Sequence, residues 1–212
     1  MTQITNAFLQ LPDGSITSNT ISGNAEILHT QLRQRTLQSF PVNPTQYRVW
    51  DANHTNAVGT AATDDLALTT SALSGSGATV LLSAGDCKNL GATTRRVAFF
   101  MAIPPNYDDG ETIQFRIRTK METTVASTSC TVDLEAFVVG SGTTVGSDLV
   151  TTAATDINSL TAADKDFVIQ ASSVNPGDVL QCRLSIAVSD TGTATAVTPV
   201  VISVALLCDT RG

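Results

Sequence analysis

From Glu111 to Met121 the chain alternates. Ile113, Phe115, Ile117, Thr119 and Met121 fall on one side, and Thr112, Gln114, Arg116, Arg118 and Lys120 on the other. A period of two is that of an extended strand with one face buried and one in water. Burying Ile113, Phe115 and Ile117 contributes about 1.5–3 kcal/mol each. The period returns from Cys130 to Val139, where Cys130, Val132, Leu134, Ala136 and Val138 oppose Thr131, Asp133, Glu135 and Phe137. It returns again after residue 178, where Leu180, Cys182, Leu184, Ile186 and Val188 alternate with Val179, Gln181, Arg183, Ser185 and Ala187. Val197 to Cys208 is apolar on both sides apart from Thr198 and Ser203. That pattern suits a strand in the middle of a sandwich or one covered by a neighbouring subunit, with Pro199 at its start or at a bulge.

Turn chemistry separates these runs. Pro104-Pro105-Asn106-Tyr107-Asp108-Asp109-Gly110 joins fixed proline φ angles to a flexible Asp-Gly and ends a strand from Arg95 to Ile103, so two antiparallel neighbours are expected. Asn175-Pro176-Gly177-Asp178 is a tight turn. Weaker strand signals lie at 48–52, 65–70, 78–83, 145–151 and 166–171, for a total of about ten strands at the spacing of a sandwich or barrel. Short helical pieces are expected near 27–37 and 154–164. No βαβ alternation occurs, which excludes the parallel α/β folds. The expected class is all-β, an antiparallel β-sandwich.

The leading residues read differently. Rich in Gln, Asn, Thr and Ser with scattered apolar anchors, residues 1–44 are expected to form an N-terminal arm, and residues 45–212 the sandwich domain. The alternative is that these residues supply the first strands of the same domain. Pro41-Val42-Asn43-Pro44 marks the junction in either case.

Composition narrows the function. The 212 residues are 42% hydrophobic but only 15% charged, and 32 are Thr, which is a strand-and-turn composition. A net charge of -7 argues against phosphate-backbone binding, so no nucleic-acid partner is expected. No basic, apolar leader opens the chain and no long apolar run crosses it, so neither secretion nor a membrane span is expected. Cys87, Cys130, Cys182 and Cys208 are far apart and form no C-x-x-C. They read as buried free thiols from a reducing cytoplasm, with one or two disulfides as the alternative.

Candidate chemistry is sparse. His29 and His54 are the only imidazoles and Gly-x-Ser-x-Gly is absent, so no enzymatic activity is expected. Asp64-Asp65, Asp108-Asp109-Gly110-Glu111, and Asp164 with Asp166 are acidic clusters at turns or strand ends. Asp108, Asp109 and Glu111 offer oxygen ligands, yet the acidic spacing of an EF-hand loop is missing, and no metal or cofactor is expected. The densest positive feature is the face of Arg116, Arg118 and Lys120, extended by Arg95 and Arg96. It is a candidate partner contact, or else a solvated strand face that discourages edge-to-edge aggregation.

The run from Arg95-Arg96-Val97-Ala98-Phe99-Phe100 through the Pro-Pro-Asn-Tyr-Asp-Asp-Gly turn, the long strands, and Val174-Asn175-Pro176-Gly177-Asp178 resemble the jelly-roll cement, or decoration, proteins of tailed-bacteriophage capsids. The resemblance spans roughly residues 48–208 and is one of pattern; it carries no invariant motif, so no individual site is transferred. It implies a jelly roll, a homotrimer on the capsid exterior that bridges major capsid proteins and stabilises the head, and synthesis in the host cytoplasm. The alternative is a receptor- or carbohydrate-binding jelly-roll module of a phage fibre, although such modules favour exposed aromatics and this chain has only Trp50, Tyr47 and Tyr107 beside its phenylalanines. Coats of small RNA viruses carry dense basic arms, whereas residues 1–50 hold only Arg33, Arg35 and Arg48. Ile117→Asp, which puts a charge into the apolar row, is expected to prevent folding; a soluble variant that melts cooperatively would refute the strand assignment.

Overall fold

The structure is a computed structural model, described here for residues 35–57, 64–69, 81–140 and 146–211. Its strands are β1 (Arg35–Pro41), β2 (Arg48–Val49), β3 (Ala52–Asn56), β4 (Ala67–Leu68), β5 (Leu82–Ser83) and β6 (Gly91–Ala102) in the first part of the chain. The second part supplies β7 (Ile113–Met121), β8 (Ser129–Val138), β9 (Thr155–Asp156), β10 (Ala163–Val168), β11 (Val179–Asp190) and β12 (Pro199–Arg211). They form two sheets, one ordered β10-β7-β12-β5-β4 with β1 also on β12, the other β3-β2-β6-β11-β8-β9.

The pairing is nested. β1 pairs with β12, β6 with β11, β7 with β10 and β8 with β9, every pair antiparallel. One half of the chain therefore runs back along the other, and the double ribbon rolls up until β12 meets β7 and β11 meets β8. This is the jelly-roll antiparallel sandwich. The inward rows of β7, β8 and β11 are the alternating apolar residues of the sequence, with Phe115, Ile117, Val132, Leu184 and Ile186 essentially inaccessible. Tyr47, Phe99 and Phe115 cross from one sheet to the other in edge-to-face contacts, with ring centroids 5.8 and 5.7 Å apart.

β12 explains its own doubly apolar sequence. Its register against β7 shifts between Val201 and Ser203, so Val201 and Val204 both face the interior across an extra residue. Pro199 opens the strand, where a missing donor is tolerated.

The boundary at residue 44 does not match the fold. β1 lies within the segment read as an arm, and all seven of its residues pair with β12. Val42 is buried and its amide donates to the Val204 carbonyl at 2.9 Å, while Asn43 caps a single 3-10 turn, Pro44–Gln46. The described sandwich therefore begins at Arg35. β1 escaped the pattern because it is exposed on both faces except at Phe40; backbone pairing, not side-chain burial, holds it. Residues 1–34 lie outside the described residues, as does most of the helical piece expected at 27–37, whose last residues are in β1.

The helix expected at 154–164 is absent. Local side chains cap the backbone there instead: Asp156 accepts from the Asn158 amide at 3.3 Å and Ser159 from the Thr161 amide at 3.1 Å, a competition that disfavours helix. Of the strand expected at 145–151, the described residues 146–151 form one bridge, Val150 with Ile169, because Asp148 accepts from the amides of Ala136 and Val150 and replaces strand pairing there.

One end of the sandwich is tied by Asp190, the last residue of β11. Its buried carboxylate accepts from the Thr193 hydroxyl, from the Asn89 amide at 2.8 Å and from the Ser127 amide at 2.8 Å, joining three loops. These hydrogen bonds, the Thr193 one foremost, hold the carboxyl well below the usual carboxylate range. A group depressed in the folded state stabilises the protein above its unfolded value and loses that contribution as pH falls through the folded one. Wild type is thus expected to be more stable than Asp190→Asn by a constant margin above about pH 5, with the margin shrinking below about pH 4. Urea unfolding of both proteins from neutral to acid pH measures it, and a margin independent of pH contradicts the assignment.

Candidate functional site

The five basic residues grouped by sequence occupy three places. Arg116 and Arg118 project from the outer face of β7, and each meets a carboxylate of β10. Arg116 makes a two-pronged contact with Asp166 at 2.8 and 2.7 Å, and Arg118 reaches Asp164 at 2.9 Å. The register sets Asp166 opposite Arg116 and Asp164 opposite Arg118, so the acidic cluster and the basic face are the two halves of one cross-strand ladder. Lys120 is half-buried on the same strand. Arg95 is turned inward on β6 and buried beside Cys87, whereas Arg96 lies on the outer face of the other sheet. No single basic patch results.

The Asp108 cluster is likewise absorbed by structure. Asp108 is fully buried at the end opposite Asp190, where its carboxylate meets Arg35 of β1 at 2.7 Å and Arg211 of β12 at 2.6 Å. Glu111 takes the other side of Arg35 at 2.7 Å, and the Tyr107 hydroxyl donates to the Glu111 carbonyl at 2.7 Å. Gly110, at φ 84°, lets the turn double back to present these groups. The Pro-Pro-Asn-Tyr-Asp-Asp-Gly turn thus pins the first and last strands of the jelly roll together. Burial pushes Tyr107 up to about 12, so its hydroxyl stays a donor at neutral pH.

All four cysteines are buried free thiols. Burial pushes Cys208 up to about 11 and Cys130 up to about 12, so both thiols stay protonated near neutrality. Among the described residues no group of three or more His, Cys, Asp and Glu side chains is placed to hold a metal ion. His29 lies outside the described residues, and His54 is on β3.

What the sequence did not bring together is a cluster on the outer face of β6, β11 and β8. Here Arg183 of β11 makes a two-pronged contact with Glu135 of β8, at 2.5 and 2.6 Å, and the pair raises the guanidinium pKa. Trp50, just after β2, has the guanidinium carbons of Arg96 and Arg183 at 5.2 and 5.9 Å from its ring centroid. Its indole N–H donates to Asp64 at 3.3 Å. Beside it opens a shallow cleft of about 240 Å³ lined by Trp50, Phe137, Gln181, Cys182 and Arg183. Only the β8–β11 register reveals this grouping, since Glu135 and Arg183 are 48 residues apart. Outward alternation of opposite charges on two strong strands was the available signal, and it needs the register to be read. The surroundings are acidic: burial, with Asp64 and Asp51 nearby, pushes the Asp65 carboxyl up, and burial pushes Asp133 up.

A second surface lies at the Asp190 end. Leu90, Val125 and Leu160 are 50%, 39% and 54% exposed, on the loops that Asp190 and Asn158 tie together. Asn158 both accepts from the Ala126 amide and donates to its carbonyl, at 2.7 and 3.0 Å. The apolar residues are therefore held on a braced rim.

No family model matches the sequence, and no curated protein matches it. Among solved structures the chain is similar to the infectious bursal disease virus structure of the Gx strain, with 13% identity, a TM-score of 0.40, and coverage of 84% of this chain and 32% of that one. The Gt strain structure of that virus gives 8% identity, a TM-score of 0.38 and the same coverages. The xylan-binding module CBM15 gives 14% identity and a TM-score of 0.45, covering 82% of this chain and 97% of the module. The chain spans about a third of the length of the viral chains it matches.

Asp108→Ala is expected to cost about 1–3 kcal/mol, since two charge-assisted hydrogen bonds go but the freed arginines are half-exposed and can hydrate. Hydrogen exchange should show protection lost first at residues 35–41. Unchanged stability and unchanged protection of β1 would mean that Asp108 does not hold it.

Proposed function

We propose that this chain is a structural virion protein without catalytic activity: a homotrimeric cement protein that binds the outer surface of a tailed-phage capsid, bridges major capsid proteins and stabilises the head. The observation that carries this reading is the braced rim of Leu90, Val125 and Leu160, three exposed large apolar side chains on loops fixed by buried polar links. Exposed apolar groups on a rigid support suit contact with another protein. β1 adds a second adhesive feature. Six of its seven residues are exposed, Leu37 to 55%, and among the described residues it pairs along one edge only. The acidic net charge disfavours a position against packaged DNA, which supports an exterior location in the virion after synthesis in the host cytoplasm.

The ladder of Arg116–Asp166 and Arg118–Asp164 gives the basic face a mainly intramolecular use, so this reading rests on apolar contact rather than on charge. Adding the purified protein to expanded heads of its phage is expected to raise their resistance to heat, and light scattering should return the mass of a trimer. A variant with Leu90, Val125 and Leu160 all changed to Asp should stay folded and lose binding to heads. Head stability indifferent to the protein, or a monomer in solution, would contradict the proposal.

A further inference from the structure

The Trp50 cleft has the composition of a ligand site and lies away from the braced rim. Trp50 is the chain's single tryptophan, and with Tyr47 and Tyr107 in the interior it is the one aromatic with a polar tip left at the surface. Across Gln181 the register places Phe100 on one side and Phe137 on the other, so aromatic rings flank an amide on an open sheet face. Cys182 is fully buried and turned into the core, which leaves Gln181 and Arg183 as the polar side chains of the cleft.

We propose that this cleft binds one neutral pyranose unit of a glycan chain, stacked on Trp50 and Phe137 and hydrogen-bonded by Gln181 and the Arg183–Glu135 pair. Four observations select that class. The walls are aromatic, which suits the C–H face of a sugar ring. The polar groups are planar and two-pronged, matching adjacent hydroxyls that donate and accept at once. The volume, about 240 Å³, falls below the roughly 300–1,000 Å³ that encloses a drug-sized ligand, and the cleft is open, so a single ring fits while its neighbours continue into solvent. The local charge favours a neutral ligand: Glu135 engages Arg183, and the Asp64 carboxylate on the Trp50 indole offsets Arg96 on its ring.

The parts are also fixed in advance. Asp64 orients the indole, the indole is braced by two guanidiniums, and Glu135 locks Arg183, so little side-chain freedom remains to be lost on binding. The inference goes beyond the shell-binding proposal, and each can fail without the other.

Because Trp50 is the sole tryptophan, its emission reports this site alone. Titrating the full chain with hexasaccharides of glucose, mannose, galactose and xylose, to millimolar concentration, is expected to give a saturable change with at least one of them. Hexagalacturonate, an anionic counterpart, should give none. Phe137→Ala and Gln181→Ala should each weaken the responding sugar roughly three- to tenfold. Gln181→Ala alters only a polar outer position and keeps the test valid if Phe137→Ala fails to fold. The proposal is overturned if none of the four neutral sugars perturbs Trp50, if both substitutions leave affinity unchanged, or if phage heads shift the emission while sugars do not, which would make the cleft a protein contact.

Discussion

The antiparallel ladder of β12 is the constraint on which the rest of the molecule depends. Along one edge it holds β7; along the other it holds β5 near its start and β1 toward its end. The bulge after Val201 lets a strand with apolar residues in both phases keep Val201, Val204, Leu206 and Cys208 directed inward. Without that ladder the nested ribbon of β1 to β8 against β9 to β12 would not close, and the aromatic contacts from Tyr47 through Phe99 to Phe115 would have no second layer to meet.

Closure leaves the loops at two ends of a rigid body, and a buried aspartate organises each end. Asp190 gathers three loops beneath Leu90 and Val125. Asp108 joins the first strand to the last through Arg35 and Arg211. In both cases one carboxylate satisfies donors that come from distant parts of the chain, so the surfaces above are positioned by the fold rather than by local sequence. On the outer faces, opposite charges meet across strands, as in Arg116 with Asp166 and Arg183 with Glu135. Much of the basic charge is thereby paired within the chain, and the exterior is left acidic, with apolar and aromatic side chains as its adhesive features.

The long strands were legible because side-chain burial imposed a period of two on β7, β8 and β11, and turn residues marked their ends. Asn175-Pro176-Gly177-Asp178 behaves as its composition implies, with Gly177 at φ 87° and the Asp178 carboxylate closing onto the Asn175 amide at 2.7 Å. β1 was not legible, since a strand held by backbone pairing with both faces in solvent has no side-chain period to read. The helix expected near residue 160 failed because Asp156 and Ser159 cap local amides in place of a helical ladder. The basic residues were visible, but their partners were not: Arg116 and Asp166 are 50 residues apart, and nothing short of the β7–β10 register pairs them. The Trp50 cluster was hidden for the same reason, since its members come from β6, β8, β11 and the segment after β2.

The most direct measurement of the central claim is a cryo-electron microscopy map of the intact phage head at a resolution that traces strands. The expected result is jelly-roll density in threes on the outer surface, with Leu90, Val125 and Leu160 against the major capsid protein. Density for this chain inside the shell, or a head that contains none of it, would contradict the account.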